Sequence, residues 1–596
     1  MEKVINNFSW KVAGEAGHGI LNAGLMFARM CMRGGLNVFA TAEYPSLIRG
    51  GHNHLDVHVS DRPLHSHTRH VSLLVALNMD SVTKHSRKIL PGGGIIYDGV
   101  EMKLDEKDFP GINLYPVPLL EIANQCGGMI MRNTVAMGAS IALADFDLEM
   151  FNTVLRDNFG KKKGEDVAEK NIIAAKTGYD YIKKNFPDGF RFVLRKKENS
   201  DRIFISGNEA ISVGAIKSGC KFFAAYPMTP ASSILHTMAA NERAYNIVVK
   251  HTEDEIAAIN MAVGAAFAGV RSMTATSGGG FALMTEGFGL AAQAEVPLVV
   301  VEAQRPGPAT GMATHSGQGD LRFVLHASTD EFPRLVIAPG DVEQCYYKTV
   351  EAFNLAEKYQ MPVVVLTDKY LGESFISAEK FSDEGIAVDR GLLLSEEELQ
   401  ETEDFRRFRV TESGVSPRSI PGQKGGEHTA SSYEHDEYGF EREEEEIRTA
   451  MHDKRFRKFE QMKKEIKNPG LVGNGYSDIT IISWGSTKGP VMDAMRMLEE
   501  DDIFSNFLQV LYISPLPVEQ LTDVIGNARR VVIIENNKTS LLGGLIKEHT
   551  GIDIGHKILK YDGRPFSPEQ IRDGIKRIIE AEERVPVKRV EKEWQI

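Results

Sequence analysis

The chain has 596 residues, room for about four domains at roughly 150 residues each. With 42% apolar and 25% charged residues it can bury a sizeable core, so disorder is not the expected state. A formal charge of -13 argues against nucleic-acid binding, which needs a basic face. No stretch reaches the roughly 18 apolar residues of a membrane span, and the opening MEKVINNFSWKVAGEAGHG holds no apolar leader core. No membrane association and a cytoplasmic location are therefore expected. Cys31, Cys126, Cys220 and Cys345 lie far apart without a Cys-x-x-Cys pair, so they read as buried thiols and not as cluster or zinc ligands.

Three folded blocks and one linker follow in chain order. Block one, 1–199, opens with an apolar strand, then a turn at Gly14, Gly17 and Gly19. The helical stretch LNAGLMFARMCMRGG comes next, followed by the strand-like SLLVAL and GGGIIYDG. Block two, 200–392, alternates the strands KFFAA, IVVKH, SMTATS, PLVVVEAQ and MPVVVLTD with helices. Residues 393–474 are charged and poor in aliphatic side chains, and read as a linker or arm. Part of it, about 441–467, has the charge mixture of a solvated helix. Block three, 475–596, returns to alternation through DITIISWGS, PVMDAMRML, FLQVLYIS and RRVVIIENN. The expected fold class is α/β, with three parallel-sheet domains.

Chemistry gathers beyond the strand ends of block two, where open α/β sheets carry their sites. YPMTPASS, from Tyr226 to Ser233, follows KFFAA directly. Its two prolines stiffen a turn from which Pro230 can start a helix, offering the Thr229 hydroxyl either to a ligand or as a helix cap. In HTEDEIAAINMAVGAAFAG an acidic end, Glu253 to Glu255, opens a helix of small residues. Glu253 and Asp254 suit a helix N-terminus through its dipole. VEAQRPGPATGMATHSGQGD places Arg305 after a buried strand and before an irregular Gly/Pro loop. A guanidinium there suits a carboxylate, although a surface arginine is the plainer alternative.

Taken together, Tyr-Pro-x-Thr-Pro, Glu-x-Ala-Ala and Gln-Arg-x-Gly-Pro-x-Thr-Gly resemble the 2-oxoacid:ferredoxin oxidoreductases. Those enzymes decarboxylate a 2-oxoacid on thiamine diphosphate, pass two electrons through iron–sulfur clusters to ferredoxin, and leave the acyl group on coenzyme A. GEAGHG and the Arg49-Gly50-Gly51 turn in ATAEYPSLIRGGHNHLDVHVSD are similar to the family's gamma domain. ENNKTSLLGG and YDGRPFSP are similar to its transketolase C-terminal-like domain. A gamma domain fused ahead of the pyrimidine-binding domain is typical of the 2-oxoglutarate type.

The resemblance implies that Glu255, with Tyr226 and Pro227 nearby, meets the aminopyrimidine ring of thiamine diphosphate. It implies that Thr229 donates to the substrate's keto oxygen, that Arg305 clamps its carboxylate, and that Thr314 faces its distal end. For the Gly14, Gly17 and Gly19 turn and Arg49 it implies coenzyme A, while close strand-to-helix packing is the alternative reading of the glycines. Gly319-Asp320 lacks the sequel of a diphosphate-anchoring motif and no metal ligands are assigned to this chain. Mg²⁺ and a [4Fe-4S] cluster are therefore expected on a beta subunit, with ferredoxin as acceptor. His65, His67 and His70 read as exposed loop histidines. Pyruvate or branched-chain 2-oxoacid oxidation, a transketolase-like or decarboxylase subunit that passes no electrons to ferredoxin, and a non-catalytic scaffold of the same fold remain the alternatives.

Overall fold

A computed structural model describes residues 2–47, 50–198, 201–473 and 475–583. The apolar runs form strands of three large sheets with helices against their faces, a mixed α/β architecture. The central sheet runs Val248–His251, Phe222–Ala225, Ser272–Thr276, Leu298–Gln304, Pro362–Asp368, Leu335–Ile337 and Tyr512–Ser514. All neighbours are parallel except the last pair. Every residue of Leu298–Gln304 and Pro362–Asp368 is buried, as strands covered on both faces require. The C-terminal sheet has five strands and is parallel apart from the short Val472–Gly473.

The first sheet departs from the expected parallel order. Asn113–Val117, Ile89–Asp98, Val71–Ala76 and Asn7–Glu15 are parallel, but His52–Ser60 and Asn37–Glu43 join antiparallel. From Leu55 to Ser60 burial alternates residue by residue, the period of a strand with one face against the core. The helix Ile20–Arg33 packs there, its Phe27 stacked on Trp10 at 4.4 Å. Two strands from beyond residue 199 complete this sheet. Phe375–Glu379 pairs with Asn37–Glu43, and Arg202–Ser206 pairs with Phe375–Glu379. Strand pairing therefore crosses the block boundaries that composition suggests. Tyr512–Ser514 does the same when it joins the central sheet.

The charged stretch 393–474 is also not a solvated arm. Its helix, Glu445–Glu465, lies against the central domain and buries Lys454 and Lys458 on Glu295. Lys454 Nζ donates to Glu295 Oε1 at 2.5 Å, both side chains being 0% exposed, and Arg407 Nη2 donates to the Glu295 carbonyl at 2.8 Å. Opposite charge explains how so polar a sequence can enter the interior. His65 and His67 are likewise not exposed. His67 Nδ1 is 2.8 Å from the Tyr370 hydroxyl, while the His65 N–H donates to Asp493 of the C-terminal block at 3.1 Å. Their loop is clamped between all three blocks, and burial pushes the His67 imidazole down to about 4. Among the described residues no helix is long and apolar enough to cross a membrane.

Candidate active site

The turn after Phe222–Ala225 is held from behind, where Asn208 Nδ2 donates to the Pro230 carbonyl and the Ser233 hydroxyl, each at 2.8 Å. The helix begins at Ser232 and not at Pro230, with Ala231 as its N-terminal flank and no side-chain cap. Thr229 therefore caps nothing and stands half-buried at the sheet mouth. Arg305, at the end of Leu298–Gln304, donates from Nη1 to the Thr229 carbonyl at 2.7 Å, so the first and third motifs touch directly. Tyr226 lies on the exposed rim, its ring 6.2 Å from His251, and Pro227 is half-buried beside it.

Glu255 is the first residue of the helix Glu255–Phe267, behind the cap Asp254, whose carboxylate accepts from Ala257 N at 2.7 Å. The dipole reading holds for Asp254, but Glu255 points inward. It is 3% exposed and its Oε1 has no hydrogen-bond partner. An orphaned carboxylate oxygen out of water is costly, and a ligand N–H or a shared proton would satisfy it. This is the fit that the aminopyrimidine ring of thiamine diphosphate requires. A Cβ on Gly280 would stand 2.7 Å from that oxygen and 2.0 Å from Thr276 Oγ1, and Thr276 in turn reaches Met228 Sδ at 3.9 Å. The sequence reading missed this glycine run, Gly278 to Gly280, although three glycines directly after a buried strand signal a close approach.

A second acid group under Arg305 was also missed. Glu302 is 0% exposed and neither of its oxygens meets a hydrogen-bond donor, while a Cβ on Gly278 would lie 2.6 Å from Asp320 Oδ2. Burial first, and then the charge of Asp320, pushes Glu302 well above the carboxylate range. Burial raises Asp320 to about 6 against the opposing pull of Arg305. A protonated Glu302 can donate to Asp320, which accounts for a pair of carboxyls beside one guanidinium. Asp320 thus stands beside Arg305 and Glu302 at the strand ends.

The loop after Arg305 bridges the domains. Gln318 exchanges hydrogen bonds of 2.9 Å with the Asn536 main chain, and Ser316 N donates to the Gly563 carbonyl at 3.0 Å. Thr314 is buried and donates to the Tyr44 carbonyl at 2.5 Å. With His315 it walls a cavity of about 450 Å³ between the three blocks, lined by Lys11, Lys369, Lys560 and Arg564 and by Asp56, Asp562 and Glu43, which pair with Lys11, Lys560 and Arg564. Gly14, Gly17 and Gly19 are not among the cavity's lining residues. Gly19 precedes the helix Ile20–Arg33 in a left-handed conformation, and a Cβ on Gly14 would meet Leu77 at 3.1 Å, so close packing accounts for Gly14. Arg49 lies outside the described residues.

A parallel sheet whose strand ends gather a buried unpartnered glutamate, a guanidinium and a rigid threonine turn has the layout of a cofactor-dependent enzyme site. Residues 213–454 match the family model described as pyruvate flavodoxin/ferredoxin oxidoreductase, thiamine diphosphate-binding. Residues 9–181 match that of pyruvate ferredoxin/flavodoxin oxidoreductase. The chain is 32% identical to the 2-oxoacid:ferredoxin oxidoreductase subunit alpha of Saccharolobus solfataricus, over 97% of this chain and 98% of that one. It is also 32% identical to the 2-oxoglutarate synthase subunit KorA of Methanothermobacter thermautotrophicus, over 63% of this chain and 98% of that one. Among solved structures it is similar to 2-oxoglutarate:ferredoxin oxidoreductase from Magnetococcus marinus, with 2-oxoglutarate, coenzyme A and succinyl-CoA bound. Identity there is 33% and the TM-score 0.90, covering 96% of this chain and 100% of that one. The chain belongs to the 2-oxoacid:ferredoxin oxidoreductase family, as an alpha subunit of that oxidoreductase.

Proposed function

We propose that this subunit binds 2-oxoglutarate and half of thiamine diphosphate in an enzyme that forms succinyl-CoA and CO₂ from 2-oxoglutarate and coenzyme A. Two electrons leave for ferredoxin. The observation that carries the reading is the Glu255 oxygen, buried without a partner beside Gly280. When bound, thiamine diphosphate supplies the nucleophilic carbon and the electron sink for loss of CO₂. Glu255 holds a proton between its Oε1 and the ring that satisfies it. Thr229 donates its hydroxyl where negative charge grows on the keto oxygen. Arg305, with Nη1 already anchored on the Thr229 carbonyl, offers its remaining N–H groups to the C1 carboxylate.

The choice of 2-oxoglutarate rests on the cavity beyond Thr314, where six lysine and arginine side chains outnumber three carboxylates, an excess that suits the second carboxylate of a dicarboxylic acid. The ligands named for the Magnetococcus marinus structure agree with it. A beta subunit carrying the diphosphate site, Mg²⁺ and a [4Fe-4S] cluster completes the enzyme. Ile256 and Met261 of the Glu255 helix, Leu283 beside it and Tyr226 at the rim are exposed apolar side chains that such a partner would cover.

The assembled complex, purified without oxygen, is assayed for viologen reduction with 2-oxoglutarate, pyruvate and 2-oxoisovalerate, each with and without coenzyme A. Reduction fastest with 2-oxoglutarate and dependent on coenzyme A is the expected result. A preference for pyruvate or the branched acid rejects the substrate assignment. Glu255→Gln is expected to lower kcat by about 10²–10⁴-fold with assembly intact. Unchanged turnover rejects the role of Glu255.

A further inference from the structure

The strand His52–Ser60 puts His52 and His54 on one face, two residues apart, and the helix Met79–His85 ends with His85 against both rings. Ring centroids are 4.9 Å apart for His52 and His85, and 4.7 Å for His54 and His85. His52 Nε2 and His85 Nε2 are 2.7 Å apart, and one potential ligand atom from each of the three residues lies within 4.8 Å of the others. The Nδ1 atoms of His54 and His85 are buried without a hydrogen-bond partner. Two unsatisfied imidazole nitrogens among three rings packed on one another are unusual for a packing cluster. We propose that His52, His54 and His85 form a binding site for a divalent transition-metal ion of the zinc class.

Imidazole nitrogens suit zinc and its neighbours, whereas Mg²⁺ and Ca²⁺ prefer oxygen. Burial holds all three histidines below their ordinary range, His52 at about 4, so they are neutral and able to ligate near pH 7. The charged groups around them are Asp80 and Lys84 on the same helix as His85, Lys11 on the neighbouring strand, and Asp56 and Glu43. Lys11 and Asp56 pair at 2.6 Å, which limits the repulsion of Lys11 for a cation. Asp80 Oδ2 lies 3.2 Å from His52 Nδ1, near enough to orient that ring once the opposite nitrogen binds metal. Tetrahedral zinc, about 2.0–2.1 Å from each nitrogen, sets them about 3.3–3.4 Å apart, so the His52 and His85 rings need only part slightly. Three ligands leave a fourth position for water or an anion, and His54 also forms part of the wall of the inter-domain cavity.

The test uses the assembled enzyme, dialysed against chelator and equilibrated with zinc sulfate in excess Mg²⁺. Retained zinc is counted by mass spectrometry, and its shell is read by X-ray absorption. One zinc per alpha chain with a three-imidazole shell is expected. His85→Ala should abolish it, Asp80→Asn should weaken it about 10–100-fold, and His549→Gln, on an exposed helix position, should leave it unchanged. No stoichiometric zinc in the wild type overturns the proposal. So does an oxygen or sulfur shell, which reads the wild type alone and decides the matter even if the His85 variant does not assemble.

Discussion

Arg305 shares its surroundings with two acids that burial pushes up by different amounts. Glu302 is held protonated, and Asp320 ionises at about 6. Above that pH the Asp320 charge offsets the guanidinium, and below it the full positive field is free to hold a carboxylate. KM for the 2-oxoacid is therefore expected to fall as pH is lowered through 6, by about five-fold for an interaction change near 1 kcal/mol. Asp320→Asn should show the low KM at every pH, as initial rates between pH 5.5 and 7.5 will reveal. Stability follows the same sign. A carboxyl with a raised folded-state pKa contributes stability fully present below its unfolded value, about 4, and lost as pH rises through about 6. The asparagine variant should lose that slope in thermal melts. This pair shows where sequence reading stopped. Asp320 was weighed against a metal-binding pattern and set aside, because nothing along the chain says that residue 302 at a strand end and residue 320 after a loop meet under one arginine.

At the scale of elements, the glycine-led helix Gly278–Gln293 and the charged helix Glu445–Glu465 make opposite cases. Gly280→Ala would put a methyl group against Thr276 Oγ1 and the Glu255 carboxylate. The Glu255 side chain can yield, but the buried Thr276 hydroxyl at 2.0 Å must shift as well, so kcat should fall together with the melting temperature while the circular dichroism spectrum keeps its shape. Glu295→Ala should act on stability. It leaves Lys454 and Lys458 buried without their counter-charge, a loss of about 3–5 kcal/mol, and trypsin should then cut within 393–474. The strands of the central sheet were legible because fully buried strands are unbroken apolar runs, and the Thr229, Glu255 and Arg305 motifs stood at their ends. The Glu445–Glu465 helix was legible as a helix but not as an interior one. Its lysines carry the composition of a solvated face, and only the position of Glu295, far away in sequence, makes their burial possible. The three histidines at 52, 54 and 85 were hidden for a similar reason, since the denser run at 65, 67 and 70 drew the eye and the third member sits on a separate helix.

For the molecule as a whole, the shared first sheet decides how the chain can be divided. A chain beginning at residue 200 keeps Arg202–Ser206 and Phe375–Glu379 but loses the strand Asn37–Glu43 that seats them. The stacked pair Phe204 and Phe375, 5.3 Å apart, is left on an open edge. Such a truncation should elute as soluble aggregate in size-exclusion chromatography, and a monodisperse product would contradict the account. The same pairing bears on synthesis. Asn37–Glu43 leaves the ribosome early, yet its neighbour Phe375–Glu379 is translated only after most of the central domain. At roughly 5–20 residues per second the edge stays open for tens of seconds. A growing chain thus carries an unsaturated sheet rim through much of its elongation, and on a crowded polysome, where copies of that rim lie close together, this is the interval in which nascent chains are most exposed to pairing with one another.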